Sequence, residues 1–249
     1  MTKNTPFQIN TSVFLIKQPE RVSELASYYK AGMTQTRVVQ ASDGKALIAG
    51  LQQSRHVITD EYSDGSAVTV VGQPAVYEAI RELIHPVEYD PPQLPENHSV
   101  DAHGAFPVTP AHPTKFESKN CGFQSWVTPM VKSSGDLEVN LKAESRTFDG
   151  FVNYGSPITT AASDWLGNPV SVVLTDNRIE MPFFTTGKLE SRVRVSPTDY
   201  VVIAGLPQGK PLNVALTNSK LISNDLISNT EARKPYQLVV VHEVLALAD

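Results

Sequence analysis

The sequence predicts a mainly β chain of the α+β class, with long antiparallel strands and one or two short helices near the N-terminus. Three observations carry this. Along Leu137-Glu138-Val139-Asn140-Leu141-Lys142-Ala143 every second side chain is apolar, the period of a half-buried strand. The run Tyr200-Val201-Val202-Ile203-Ala204-Gly205-Leu206 is apolar at both alternating sets of positions, which predicts a central strand covered on both faces. Finally, 18 prolines and 14 glycines are spread along 249 residues, which suits many turns and edge strands and opposes long helices.

The stretch 116–206 organises the chain. It reads as antiparallel strands over 116–131, 137–154, 180–196 and 200–206. Lys132-Ser133-Ser134-Gly135-Asp136 joins the first two with good turn chemistry. In the third strand Leu189, Ser191, Val193 and Val195 share one face, and Lys188, Glu190, Arg192 and Arg194 share the other. Pro197-Thr198-Asp199 then turns the chain into the apolar strand.

Before this stretch, 8–16 is rich in β formers and reads as a strand. Pro19 and Glu20 suit the start of a helix whose face is Val22, Leu25, Ala26 and Tyr29, with Gly32 as its stop. A second short helix is expected over 45–53, capped by Ser42-Asp43, with Ala46, Leu47, Gly50 and Leu51 on its face. His56-Val57-Ile58-Thr59 reads as a strand, and Asp64-Gly65-Ser66 as a turn into a strand at 67–71. Residues 75–83 fit both a helical and a strand period, and local pattern does not choose between them.

From Asp90 to Pro113 the chain holds six prolines. Proline removes backbone donors, so an extended surface loop is expected there, not a ladder strand. A second long connection covers 155–177, with a short strand at 170–174 inside it. After a polar stretch at 207–235, the tail 236–247 reads as a closing strand that shifts to a short helix at its end. The chain is read as one β-rich domain, divided into an N-terminal part (1–60), a long-strand core (61–206) and the polar linker with its closing strand (207–249).

The net charge of −5 argues against a general nucleic-acid binder. No apolar run approaches the ~20 residues of a spanning helix, which leaves strands of a closed barrel open. The polar Met1–Pro6 shows no apolar signal core. It fits either a cytoplasmic protein or one whose leader has been removed, and the expected location is extracytoplasmic. A single Cys121 excludes an internal disulfide framework.

Candidate chemistry is sparse. His98, His103 and His112 with Asp101 could ligate zinc. Their spacing matches no ligand pattern, so solvated loop histidines are expected and no metal or cofactor is assigned. Cys121 has no evident base beside it and reads as structural. No nucleophile elbow, phosphate loop, dinucleotide fingerprint or zinc-protease motif occurs, so no catalytic residue is assigned. The remaining lead is aromatic. Phe106, Phe148, Phe151, Tyr154, Trp165, Phe183 and Phe184 are core or rim residues, or else line a contact between protomers or a lipid–water boundary.

Several longer strings are more particular. They are Ile80-Arg81-Glu82-Leu83-Ile84-His85-Pro86-Val87-Glu88-Tyr89-Asp90-Pro91-Pro92, Phe106-Pro107-Val108-Thr109-Pro110, Gly150-Phe151-Val152-Asn153-Tyr154-Gly155-Ser156-Pro157-Ile158 and Leu174-Thr175-Asp176-Asn177-Arg178-Ile179-Glu180-Met181-Pro182. In this order they resemble the core domain of secretins, the ring-forming outer-membrane proteins of type II and III secretion and type IV pilus systems. The likeness is greatest to secretin-like proteins of the Verrucomicrobia. It spans about 35–206, and 236–245 resembles the closing strand. The resemblance implies a strand over 75–89 and protomers that join their sheets into a ring.

The chain departs from the pattern in three ways. Ala204-Gly205 stands where secretins carry Gly-Gly, and the Val-Pro and Leu-Gly series that follows is absent. The periplasmic modules that precede a secretin core are also expected to be absent. The expected function is therefore a non-enzymatic accessory or structural protein of a pilus or secretion assembly, with assembly proteins or copies of itself as partners. The alternatives are a monomeric binding module that uses its Pro-rich and aromatic loops, and a carbohydrate-active enzyme.

Overall fold

Strands β11 (Tyr200–Gln208) and β12 (Tyr236–Ala246) form the buried centre of the computed structural model, which describes residues 5–28, 30, 33–58, 62–94, 108–134, 136–208 and 236–247. They belong to a sheet of order β2 (Gln35–Val39), β11, β12, β1 (Pro6–Ile16). The far edge of β1 is covered by β3 (Val57–Ile58) at one end and β4 (Gly65–Val70) at the other. Tyr200, Val201, Val202, Ile203, Ala204 and Leu206 are all buried. Their alternation places Tyr200, Val202 and Ala204, with Val239 and Val241, against Phe14, Ile16, Val22, Leu25, Leu47 and Leu51. Val201, Ile203, Leu206, Leu238, Val240 and Val244 serve the opposite face. Each such side chain contributes about 1.5–3 kcal/mol by leaving water.

The first face is covered by α1 (Ala41–Gln53), whose buried residues are Gly44, Leu47 and Leu51. Gly44 lies so close to the Tyr200 ring that a Cβ there would collide with its Cγ and Cδ2. The helix begins earlier than expected. Its cap is Gln40 without a side-chain hydrogen bond, and Asp43 lies inside the first turn, where its charge suits the helix dipole. Ala46, expected on the buried face, is exposed. The helix expected from Pro19 is replaced by two 3-10 turns, Pro19–Arg21 and Ser23–Leu25. Val22 between them is extended, which breaks the helical ladder while still delivering Val22 and Leu25 to the core.

The second face packs on the lower half of another sheet, of order β10 (Glu180–Val195), β7 (Leu137–Asn153), β6 (His112–Val131), β5 (Ala75–Asp90). Phe123, Val127, Val139, Leu141 and Ala143 fill the seam. Ser145 Oγ donates to the Pro207 carbonyl across it at 2.9 Å. Gly187 permits that approach, since a Cβ there would lie 2.6 Å from Pro207 Cδ. The outward face of this half is polar. Glu138 accepts from Lys132 at 2.6 Å and faces Arg192 at 3.3 Å, and the Lys132 hydrogen bond holds its carboxyl below the usual range. Lys142 Nζ stands 5.4 Å over the Trp126 ring.

The strand reading of 75–89 is realised in β5. Four local readings differ from the structure. Gly65 and Ser66, read as a turn, begin β4 and pair with Thr11 and Asn10 of β1. Asp90, His112 and Pro113, read as loop, end the β5–β6 ladder. Proline is tolerated at 113 because β6 has no second neighbour there. The connection 155–177 is a hairpin of β8 (Ile158–Ser163) and β9 (Pro169–Thr175), where only 170–174 was read as strand. The first strand, Ile-Thr-Thr-Ala-Ala-Ser, has too little apolar alternation to announce itself. The tail remains strand to Ala246, with no helix among its described residues.

His242 of β12 is fully buried. Its Nδ1 lies 2.9 Å from Thr11 Oγ1, and its Nε2 has no partner among the described residues. Burial lowers its pKa from 6.5 to about 4, so the folded state holds it neutral. The unfolded chain takes up the proton below pH ~6.5 and the folded chain only near pH ~4. Stability should therefore be level above pH 6.5 and fall by up to about 3 kcal/mol as pH drops towards 4. Urea midpoints at pH 7 and pH 4.5 check this. The difference should shrink in His242→Leu, and an unchanged difference contradicts the assignment.

Candidate functional site

Pairing between β6 and β7 stops at Gly122–Arg146. Beyond it, β5–β6 and β7–β10 continue as two separate two-stranded ribbons, to Asp90–His112 and Asn153–Glu180. Gly122 makes this departure sterically feasible. It has φ +130, and a Cβ there would collide with the Ala79 carbonyl oxygen. On the second ribbon, a register shift opposite Phe183/Phe184 accompanies Gly150, also at φ +130.

The ribbons are tied by side chains. Tyr89 of β5 donates its hydroxyl proton to the Glu180 carbonyl of β10 at 2.8 Å and accepts from the Glu180 N–H at 3.1 Å. The His85 ring lies 5.6 Å from Phe184, which meets Phe148 in a tilted contact at 5.8 Å, and Phe148 is edge-to-face with Phe151 at 5.0 Å. Lys119 Nζ sits 5.1 Å from the Phe184 centroid. Arg146 donates to the Asn120 carbonyl at 3.2 Å, bridging the point of separation. The two outermost strands of the sheet thus meet at one end through side chains. Among the described residues, neither β5 nor β10 has a further strand hydrogen-bonded to its outer edge.

The seven aromatics singled out in the sequence divide. Phe148, Phe151 and Phe184 come together in the half-buried cluster. Phe183 is exposed, Tyr154 is 64% exposed and Trp165 is 85% exposed. Phe106 lies outside the described residues, as do His98, Asp101 and His103. His112 is exposed, with Nε2 3.8 Å from Asp90. Among the described residues no three His, Cys, Asp or Glu side chains gather as a metal site. Cys121 is buried, and burial pushes its thiol up, opposite to the shift of an activated thiol. A shallow depression of about 540 Å³ on the outer face is lined by Trp126, Asn140, Lys142, Glu190 and Arg192, with Glu190 as its one carboxylate. A cleft of about 290 Å³ between the sheets holds Asp64 and Glu78, and Gln124 donates to Glu78 at 2.9 Å.

Sequence reasoning missed His85, Tyr89, Lys119 and Glu180. No local pattern pairs Tyr89 with a residue 91 positions later. The string around His85-Pro86 that carries the family resemblance was the available signal.

No protein-family model and no curated protein matches the chain. Among solved structures it is similar to the secretin InvG of the Salmonella SPI-1 type III secretion injectisome, at 13% identity and TM-score 0.35, over 99% of this chain and 66% of that one. It is also similar to the type IV competence pilus secretin PilQ of V. cholerae, at 12% identity and TM-score 0.36, over 100% of this chain and 62% of that one. The chain spans less than two thirds of the length of the PilQ chain and just under two thirds of InvG.

Gly122→Ala should destabilise the protein by about 2–4 kcal/mol, because the added carbon meets backbone in a conformation that L side chains avoid. Phe184→Ala should cost about 1–3 kcal/mol, less than truncating a fully buried phenylalanine. Chemical denaturation reads both. Wild-type stability in Gly122→Ala would contradict the strained separation of the ribbons.

Proposed function

We propose that the protein is a non-enzymatic structural component of a secretion or type IV pilus assembly, and that it acts by joining strands with copies of itself or with assembly partners outside the cytoplasm. The observation that carries this is the four-stranded sheet, whose strands run 16 to 20 residues and whose two outer edges carry no further strand among the described residues. A typical strand is about 5–6 residues. Packing on the central sheet uses only the lower half, so core formation does not account for the rest. Open edges of such length are templates for pairing. Three of the strings that resemble secretin cores touch these strands: Ile80–Asp90 lies within β5, Gly150–Asn153 ends β7 and Glu180–Pro182 begins β10. The whole chain is read as one unit, because both faces of the central sheet are needed to build its core. Extension of the ribbons into a neighbour requires release of the Tyr89–Glu180 tie.

Light scattering on the eluting protein tests this. Species at multiples of 27.2 kDa are expected, growing with concentration. Lysines placed on the β5 edge, as in Val76→Lys with Ile80→Lys, should shift the population towards monomer. A strict monomer across a hundredfold concentration range, in wild type and in Tyr89→Phe, would overturn the proposal.

A further inference from the structure

The β8–β9 hairpin projects beyond the long sheet and ends in two exposed apolar side chains, Trp165 and Leu166, at 85% and 65% exposure. The turn that carries them is built to hold its shape. Gly167 N–H donates to the Asp164 carbonyl at 3.0 Å, and Asp164 N–H donates to the Asn168 carbonyl at 2.9 Å. Gly167, at φ +81, fills the glycine position of a three-residue hairpin loop. The Asp164 carboxylate accepts from Leu166 N–H at 2.9 Å, Asn168 N–H at 2.8 Å and Asn168 Nδ2 at 3.0 Å. These bonds hold its pKa below the ordinary carboxylate range. Nothing in this turn requires tryptophan or leucine at its two central positions, where polar residues are the usual choice.

The surroundings of the tip say what it meets. From Gly150 to Thr175 the only Asp, Glu, Lys or Arg is Asp164, in a chain whose charged fraction is 19%. That one charge is engaged by backbone donors. The flanking strands present Thr159, Ala161, Ser171 and Val173 to solvent. A protein partner recognised through ion pairs would find no cation on this element, and an anionic surface would find nothing to attract it. A hairpin without a cation, whose single carboxylate is folded back onto its own turn, and which carries an amphipathic indole and a leucine at a rigid apex, fits the boundary between lipid headgroups and acyl chains, where tryptophan is favoured.

We infer that the Trp165–Leu166 tip docks into a lipid–water interface, driven by apolar burial and not by charge. This does not rest on strand joining, since a protein that stays monomeric can bind lipid in this way. Of the two tryptophans, Trp126 is removed as Trp126→Phe, so that Trp165 alone reports. The full chain is then titrated with phosphatidylcholine vesicles. Trp165 emission should shift to the blue and be quenched by brominated acyl chains, equally with and without phosphatidylglycerol and equally at high salt. Trp165→Ser with Leu166→Ser, verified as folded by circular dichroism, should lose about tenfold or more in vesicle flotation. Unchanged emission at lipid excess, or flotation unaffected by the double substitution, overturns the inference. Binding confined to anionic vesicles and abolished by salt overturns it as well. A concentration-dependent blue shift without lipid assigns the tip to another copy of the chain, and equally overturns it.

Discussion

Burial of β11 and β12 on both faces is the constraint on which the rest of the structure depends. A strand with apolar side chains at every position needs cover above and below. One cover is made by α1 and the 3-10 turns; the other is the lower half of the long sheet. The long strands are therefore anchored at one end and released at the other. What stands beyond the seam is carried by a core that does not need it, and the ribbons are free to serve contacts outside the fold.

Glycine marks the places where this plan needs unusual backbone. Gly187 lets β10 approach Pro207, Gly205 supports the bulge in β11 against Met33, and Gly122 lets β6 leave β7. Main-chain pairing gives way to side-chain ties above Gly122. Those ties are the hydrogen bonds of Tyr89 and Arg146 and a loose aromatic cluster, far weaker together than a continuous ladder of strand hydrogen bonds. A monomer can keep its ribbons closed with them and can also release them for an incoming strand.

Much of the fold was legible in the sequence because the strongest patterns lie on the longest strands. Alternation along 137–143 and 188–195 gave the faces of β7 and β10, and the two-sided apolar run gave β11. The break in the N-terminal helix was not legible, since Val22 and Leu25 reach the core from 3-10 turns as well as from a helix. Strand β8 was hidden by short polar and small side chains. The candidate aromatics were legible as residue types, but their partition was not. Phe184 is gathered in by His85 and Lys119 from a distant strand, while Trp165 is held outward by the turn around Asp164. Such differences arise from contacts between residues far apart in sequence, which no local window contains.

Amide hydrogen exchange on dilute and concentrated protein tests the central claim most directly. In dilute solution the amides of β11 and β12 should exchange only through global unfolding, and the outer-edge amides of β5 and β10 should exchange rapidly. At high concentration those edge amides should gain protection while β11 and β12 stay unchanged. Protected edges in the dilute monomer, or rapid exchange in β11 and β12, would contradict a covered core that carries open joining strands.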